Sequence, residues 1–241
     1  MRSIHTLDEL RALTDDPYLL WSAQGFRPGV RAWTDDSVGA VAIAVDFAGK
    51  DLLVVDGALE DVVRLVAATT GDSALWPIGD ADLLSRLHER LPGYDLRRVF
   101  GWMQTTLAPA PDPRAELATV TEEPAIDALL EAAFPTSLAR PGKPGVARWW
   151  IVRGSDGLDG LDACGADAWS TEGVGFLAGV ATSTAARGKG YGRAIAATAI
   201  ATLVSDFGAA ALMVDADNVP ARKLYESLGM SYRPLRAMVP R

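Results

Sequence analysis

The chain has 241 residues, 49% hydrophobic and 22% charged, with a net charge of −8, one cysteine and two histidines. That length can bury a sizeable core, while a single cysteine excludes an internal disulfide framework and a cysteine-based zinc cluster, and two histidines exclude a three-histidine metal site. The acidic excess argues against a nucleic-acid-binding face, which normally shows as a basic excess.

Elements can be assigned from Asp51 onward. Asp51 to Asp56 is an apolar run that predicts a strand, and Leu59, Val62, Val63 and Val66 recur at helical spacing over 59–68. A strand follows over Ala74 to Ile78, a helix over Ala81 to Leu91 and a long final strand over Tyr94 to Leu107. The segment Ala108 to Arg114 then places prolines at 109, 111 and 113, which hold the backbone extended and forbid a helix. It reads as a linker over 108–116 that separates a domain at 1–107 from one at 117–241.

In the second part, Ile126, Leu129, Leu130 and Phe134 mark a helix over Glu123 to Phe134, and the aromatic, β-branched run Arg148 to Val152 marks a strand. Glycine and aspartate crowd residues 154–167, which reads as turns leading to a strand near Ala166 to Ser170. Val174 to Thr182 predicts a buried strand, Tyr191 to Phe207 a long helix and Ala209 to Ala216 another strand. Val219 to Leu228 predicts a helix closed by Gly229, and Ser231 to Val239 a last strand. Strand–helix–strand order therefore appears twice, once in each part. This predicts an α+β fold, a mixed central sheet flanked by helices, built as two tandem copies of which the first is shorter where the second carries a glycine-rich loop, with two unrelated α/β segments as the alternative.

That loop concentrates the chemistry. Arg187-Gly-Lys-Gly-Tyr-Gly192 puts three glycines and two cations between a buried strand and a helix N-terminus, with Arg193 one residue on. Glycine lets the backbone approach a bulky anion. The unpaired N–H groups of a first helical turn converge on that anion and the helix dipole adds to their pull. The expected ligand is a diphosphate. The loop is not G-x-x-x-x-G-K-[ST], and Ile195 stands where G-x-G-x-x-G needs its third glycine, so neither a P-loop nor a dinucleotide fingerprint is met.

With Arg187, Gly190 and Gly192 on the pattern [QR]-x-x-G-x-[GA], and Asn218 and Tyr225 seven residues apart in the segment Val214 to Met230, residues 117–241 resemble the GNAT superfamily of acyl-CoA-dependent N-acyltransferases. The resemblance implies acetyl-CoA as acyl donor, with no metal. It places Val180, Ala181 and Thr182 against the pantetheine arm, and Arg187, Gly188, Lys189, Gly190, Tyr191, Gly192 and Arg193 around the diphosphate. It places Asn218 on the cofactor arm and Tyr225 as general acid toward the leaving thiolate. A phenol of pKa about 10 protonating a thiolate of about 8.5 is uphill by roughly 2 kcal/mol, so Tyr225 is expected to stabilise the thiolate chiefly by hydrogen bonding.

The pattern departs from the family at Thr184 and Ala186, which replace a proline and an aromatic, and at Met213, where some members carry a catalytic glutamate. Glu172, on the pleat parity of Phe176, is the expected carboxylate base for the amine. The first domain has no counterpart of the loop, since Val54 to Glu60 runs straight into a helix with acids in place of cations; it resembles a degenerate, non-binding copy. The expected acceptor is a primary amine on a small molecule or peptide, and a non-catalytic acyl-CoA-binding regulatory or scaffold module is the alternative. Cys164 has no histidine nearby and is not expected to be a nucleophile. No apolar run reaches the roughly 18 residues of a membrane span and the first ten residues lack a signal peptide's apolar core. A cytoplasmic protein without membrane or nucleic-acid partners is therefore expected, with a homodimer left open.

Overall fold

The computed structural model describes residues 1–35, 39–70, 75–154 and 160–241. By its packing the chain divides into two compact units: Met1–Trp102 with Val214–Val219 and Tyr232–Arg241, and Met103–Met213 with Pro220–Ser231.

The first unit begins with β1 (Arg2–Ile4), α1 (Leu7–Arg11) and α2 (Pro17–Ser22). Asp16 caps α2, accepting the Tyr18 N–H at 2.9 Å, and Pro17 occupies the first turn, where its missing N–H costs nothing. Then come β2 (Arg31–Thr34), β3 (Ala40–Phe47), β4 (Lys50–Gly57), α3 (Leu59–Thr70), β5 (Trp76–Asp80), α4 (Ala81–Arg90), β6 (Tyr94–Leu96) and β7 (Phe100–Thr105), within which the unit boundary falls. β1 to β4 pair antiparallel in chain order, and β5 lies parallel to β4 through Leu52–Trp76 to Val54–Ile78. The α3 and α4 faces bury Val62, Leu65, Val66, Leu83, Leu84 and Leu87 against Ala42, Leu53 and Val55.

The second unit contains β8 (Glu116–Leu117), α5 (Glu123–Ala133), β9 (Val146–Arg153), β10 (Leu161–Ala168), β11 (Gly175–Thr182), α6 (Tyr191–Phe207), β12 (Ala210–Asp215) up to Met213, and α7 (Val219–Glu226) from Pro220. β8 to β11 pair antiparallel in chain order, and β12 runs parallel to β11. Helices cover opposite faces of this sheet. Ile126, Leu129 and Leu130 of α5 pack on Trp149, Ile151, Cys164, Ala166 and Ala168. On the other face Ile195 and Leu203 of α6 approach the sheet at Gly165 and Gly175 so closely that a Cβ there would meet them at 2.5 and 2.7 Å. The chain ends in β13 (Ser231–Pro240), which from Tyr232 onward belongs to the first unit and pairs antiparallel with β5 through Leu235–Asp80 and with β6 through Met238–Leu96.

Several elements differ from their sequence readings. The strand expected over Tyr94 to Leu107 is two strands, β6 and β7, with residues 97–99 between them, of which Arg97 still donates its N–H to the Ala237 carbonyl of β13 at 2.9 Å. Gly- and Asp-rich residues 161–168 are strand β10, not turn: Cys164, Ala166 and Ala168 are buried under α5, and on the other face Gly165 leaves the room that the close approach of α6 requires. The expected strand start at Ala74 and part of the turn region, 155–159, lie outside the described residues. Residues 108–116, read as a linker from their prolines, sit within the second unit, where both the N–H and the carbonyl of Asp112 bond the Thr198 hydroxyl of α6 at 2.9 and 3.0 Å.

Candidate functional site

β11 changes its character halfway along. Its ladder with β12 consists of Gly175–Ala210 and Phe176–Ala211, and toward their carboxyl ends the two parallel strands are no longer paired. On the other edge, the register with β10 shifts between Cys164–Ala181 and Ala166–Ala178, so β11 carries an extra residue there. Gly179 is that residue's neighbourhood, with φ +61°. The side chains confirm the bulge. Leu177 and Val180, three apart, both border Gly165 on the α6 face, whereas Ala178 and Ala181 both pack on the α5 face. A parted pair of parallel strands, open at its carboxyl ends, is where α/β sheets accept ligands.

The glycine-rich loop begins where β11 ends. Gly188 and Gly190 have φ +79° and +81°, a left-handed backbone that other residues enter at a cost. A Cβ at Gly188 would meet nothing within 4 Å, so the backbone there is open to an approaching group. Gly190 is the N-cap of α6 and no side chain caps it among the described residues, which leaves first-turn N–H groups for a ligand. Gly192 serves packing: a Cβ would stand 3.1 Å from Thr182 Oγ1, so its absence lets the end of β11 lie against the first turn of α6. Arg187 and Lys189 are exposed beside this turn. Arg193 instead donates to Ser227 Oγ at 2.7 Å, and the Tyr191 ring lies under the guanidinium of Arg114 at 5.6 Å.

The other sequence-derived residues are placed as follows. Val180, Ala181 and Thr182 form the last stretch of β11, at the parted end. Tyr225 lies on α7, buried, and its carbonyl accepts the N–H groups of Leu228 and Met230 where Gly229, at φ +86°, ends the helix. Leu224, its neighbour, contacts the Gly192 position at 4.0 Å, so α7 packs on the same first turn that Arg193 ties to Ser227. Burial pushes the Tyr225 phenol well above its ordinary value of 10. Asn218 is exposed, donates its N–H to the Asp215 carbonyl at 3.0 Å and belongs by packing to the first unit. Glu172 is not on the β11 pleat. Thr171 and Val174 exchange two backbone hydrogen bonds of 3.0 Å, which puts Glu172 in an exposed tight turn with Gly173, at the opposite end of β11 from the loop. The parity with Phe176 therefore does not extend to it. Cys164 is buried, its thiol pushed up to about 12 by desolvation, with Sγ 3.7 Å from the Gly179 carbonyl; it is a packed thiol, not a nucleophile. Among the described residues no group of three or more His, Cys, Asp or Glu side chains could hold a metal ion.

Residues 146–230, which span the loop, β9 to β12 and α7, match the model of the acetyltransferase (GNAT) family. The chain has a GNAT-superfamily fold. Similar solved structures include a GCN5-related N-acetyltransferase from Sphaerobacter thermophilus, with 18% identity, a TM-score of 0.56 and coverage of 96% of this chain and 90% of that one. A GNAT-family acetyltransferase from Colwellia psychrerythraea gives 13%, 0.55, 99% and 98%, and a GCN5-related N-acetyltransferase from Kribbella flavida 18%, 0.52, 84% and 88%. At such identities the likeness is one of fold. No curated protein matches the chain.

The GNAT-like second unit also holds features that the sequence reading missed. Gly179 had a signal, since a lone glycine inside a strand pattern marks a bulge or a close approach. Here it marks both, because a Cβ at Gly179 would lie 3.1 Å from Trp149 and 3.3 Å from Ala139. Arg114, from the proline-rich segment, reaches the loop and had no signal in sequence. Nor did the buried Asp167. Its Oδ2 accepts from Arg148 Nε at 3.1 Å and its Oδ1 from Ser170 Oγ, which in turn accepts the Phe176 N–H at 2.8 Å. This chain of bonds fixes the start of β11 at the residue after which β12 parts from it.

Proposed function

We propose that the protein is an N-acetyltransferase that moves the acetyl group of acetyl-CoA to a primary amine of a small molecule or peptide. The observation that carries this reading is the parting of β11 from β12 beside an uncapped, glycine-lined N-terminus of α6. Such a site offers backbone groups to an extended arm and N–H donors with two exposed cations, Arg187 and Lys189, to a diphosphate. Gly188 leaves the backbone there open to an approaching group. Bound there, acetyl-CoA supplies a thioester carbonyl to an amine nucleophile. Val180, Ala181 and Thr182 align the arm by backbone hydrogen bonds. Tyr225, kept neutral by burial, donates a hydrogen bond to the sulfur as negative charge develops; raising its pKa makes full proton transfer less favourable and leaves donation as its contribution. Glu172 receives the amine proton through water. An E172Q variant with unchanged kcat/KM at every pH would discard that last assignment.

The first unit is read as a degenerate GNAT-like copy. Its order of elements, three antiparallel strands, then a strand, a helix and a parallel strand, repeats that of the second unit. Between β4 and α3 stands only Ala58, and Glu60 and Asp61 occupy the first turn of the helix. Because a Cβ on Gly79 would lie 2.4 Å from the Val55 carbonyl oxygen, β4 and β5 stay close at the level corresponding to the parting of β11 from β12. The second unit is accordingly assigned the donor.

The test is thiol release from acetyl-CoA by the full chain over a panel of primary amines, with CoA binding followed by calorimetry. Amine-dependent release supports the transferase. Tight CoA binding without release on any acceptor would favour the alternative, a non-catalytic acyl-CoA-binding module, for which Met213 in the position of a catalytic glutamate speaks. Stronger stabilisation by ATP or NAD than by CoA would overturn both.

A further inference from the structure

The proline-rich segment ends on a residue that holds the loop without belonging to it. Asp112 is clipped to α6 by two backbone bonds to the Thr198 hydroxyl, at 2.9 and 3.0 Å. Two residues later, Arg114 turns back along the helix. Its Nε and Nη2 donate to the two carboxylate oxygens of Asp112 at 2.9 and 2.6 Å, a bidentate fork that fixes the guanidinium plane. The remaining corner of that plane, Nη1, donates to the carbonyl of Lys189 at 3.3 Å, and its face covers the Tyr191 ring at 5.6 Å. Arg114 thus grips the loop on both sides of Gly190, whose left-handed backbone has no side chain to hold it and where a Cβ would stand 3.8 Å from the guanidinium. The carboxylate of Asp112, held down to about 2 chiefly by its hydrogen bond from Arg114, offsets the guanidinium charge.

The geometry points to Arg114 as the positioning residue of the diphosphate loop, a strut that fixes the peptide between Lys189 and Gly190 and so keeps the first N–H groups of α6 aimed outward, without itself contacting the phosphates. This rests on the proposed donor site. A strut acts through the loop's shape, so it affects only ligands that carry the diphosphate. A phosphate-binding cation would act through its charge and would tolerate lysine. Lysine keeps the charge but cannot bridge both Asp112 oxygens and reach the Lys189 carbonyl at once.

The experiment compares the full-length wild type with R114A, R114K and D112N. Hydrogen exchange of the amides at 187–193 is measured without ligand, and affinity is measured for CoA and for pantetheine, which lacks the diphosphate. The expected result is faster exchange in R114A and R114K, and about tenfold weaker CoA binding in both, equivalent to about 1.4 kcal/mol. Pantetheine affinity stays unchanged, and KM for acetyl-CoA rises while kcat stays within about twofold. D112N, which loosens the fork and leaves the arginine, falls between. Full recovery of CoA affinity by R114K, or unchanged amide exchange in R114A, would overturn the strut. A wild type that binds no CoA would sink the donor site, while the exchange measurement would still decide whether Arg114 orders the loop.

Discussion

Replacing Gly179 by alanine tests the bulge that opens β11. At φ +61° an L-residue meets its own carbonyl, a cost of about 1–2 kcal/mol. The added methyl also lands 3.1 and 3.2 Å from Cη2 and Cζ3 of Trp149 and 3.3 Å from Cβ of Ala139, in a core with nowhere to yield, which adds roughly 1–3 kcal/mol. The expected destabilisation is therefore about 2–5 kcal/mol, read as a lower urea midpoint at constant slope by far-ultraviolet circular dichroism. The two contributions are separable. The W149F substitution removes both of the ring atoms in contact, so in that background G179A should lose its packing share and keep only the backbone share, a coupling of about 1–3 kcal/mol. Donor turnover should fall in G179A and stay low in the double variant, because the backbone share distorts the strand itself. A G179A variant destabilised by less than about 0.5 kcal/mol, or one whose cost is the same in the W149F background, would refute the bulge as described.

Three further outcomes are expected. Y225F should lower kcat at least about tenfold with donor KM nearly unchanged, and because burial raises the phenol, no loss of rate with a midpoint below about pH 9 should trace to this residue; steady-state pH profiles of both proteins check it. Cys164, raised from 9.0 to about 12, and Tyr18 and Tyr225, raised further by burial, hold their protons more tightly folded than unfolded. Their contribution is complete below the unfolded values and fades as pH climbs through the folded ones, so stability should decline from about pH 9 upward. The urea midpoint of C164A should then fall less steeply between about pH 9 and 12. D167N should cost about 1–3 kcal/mol, since Arg148 and Ser170 lose a charged partner while Arg148 keeps Asp206, and thermal unfolding reads it directly.

How far the sequence led depended on whether a feature was local. α6 matches its reading at both ends because apolar spacing, an initial glycine loop and Gly208 as C-cap all lie within one segment. The loop itself was readable for the same reason: glycines and cations in series state their own purpose. What escaped depended on partners outside the segment itself. β3, a run of buried alanine, valine and isoleucine, and β10, rich in glycine and aspartate, owe their strand form to neighbours on both edges. Arg114 finds Lys189 and Tyr191 only after the proline-rich segment folds back on α6. Glu172 shows the opposite error. Alternation does not pass through the turn that Glu172 and Gly173 make, so pleat parity has no meaning there.

The exchange of the last strand has a consequence for how the protein is made. β5 gains its outer partner from β13, which is synthesised only after nearly all of the second unit. Until it appears, the amino-terminal unit carries an open strand edge, the kind of surface that recruits other chains. Its folding thus waits on β13, although nearly all of the other unit intervenes in the chain. Deleting β13, or cutting the gene at the prolines to express either half alone, should damage the amino-terminal half first and leave it prone to aggregate. The amino-terminal unit is thus completed only by a strand made after most of the other unit.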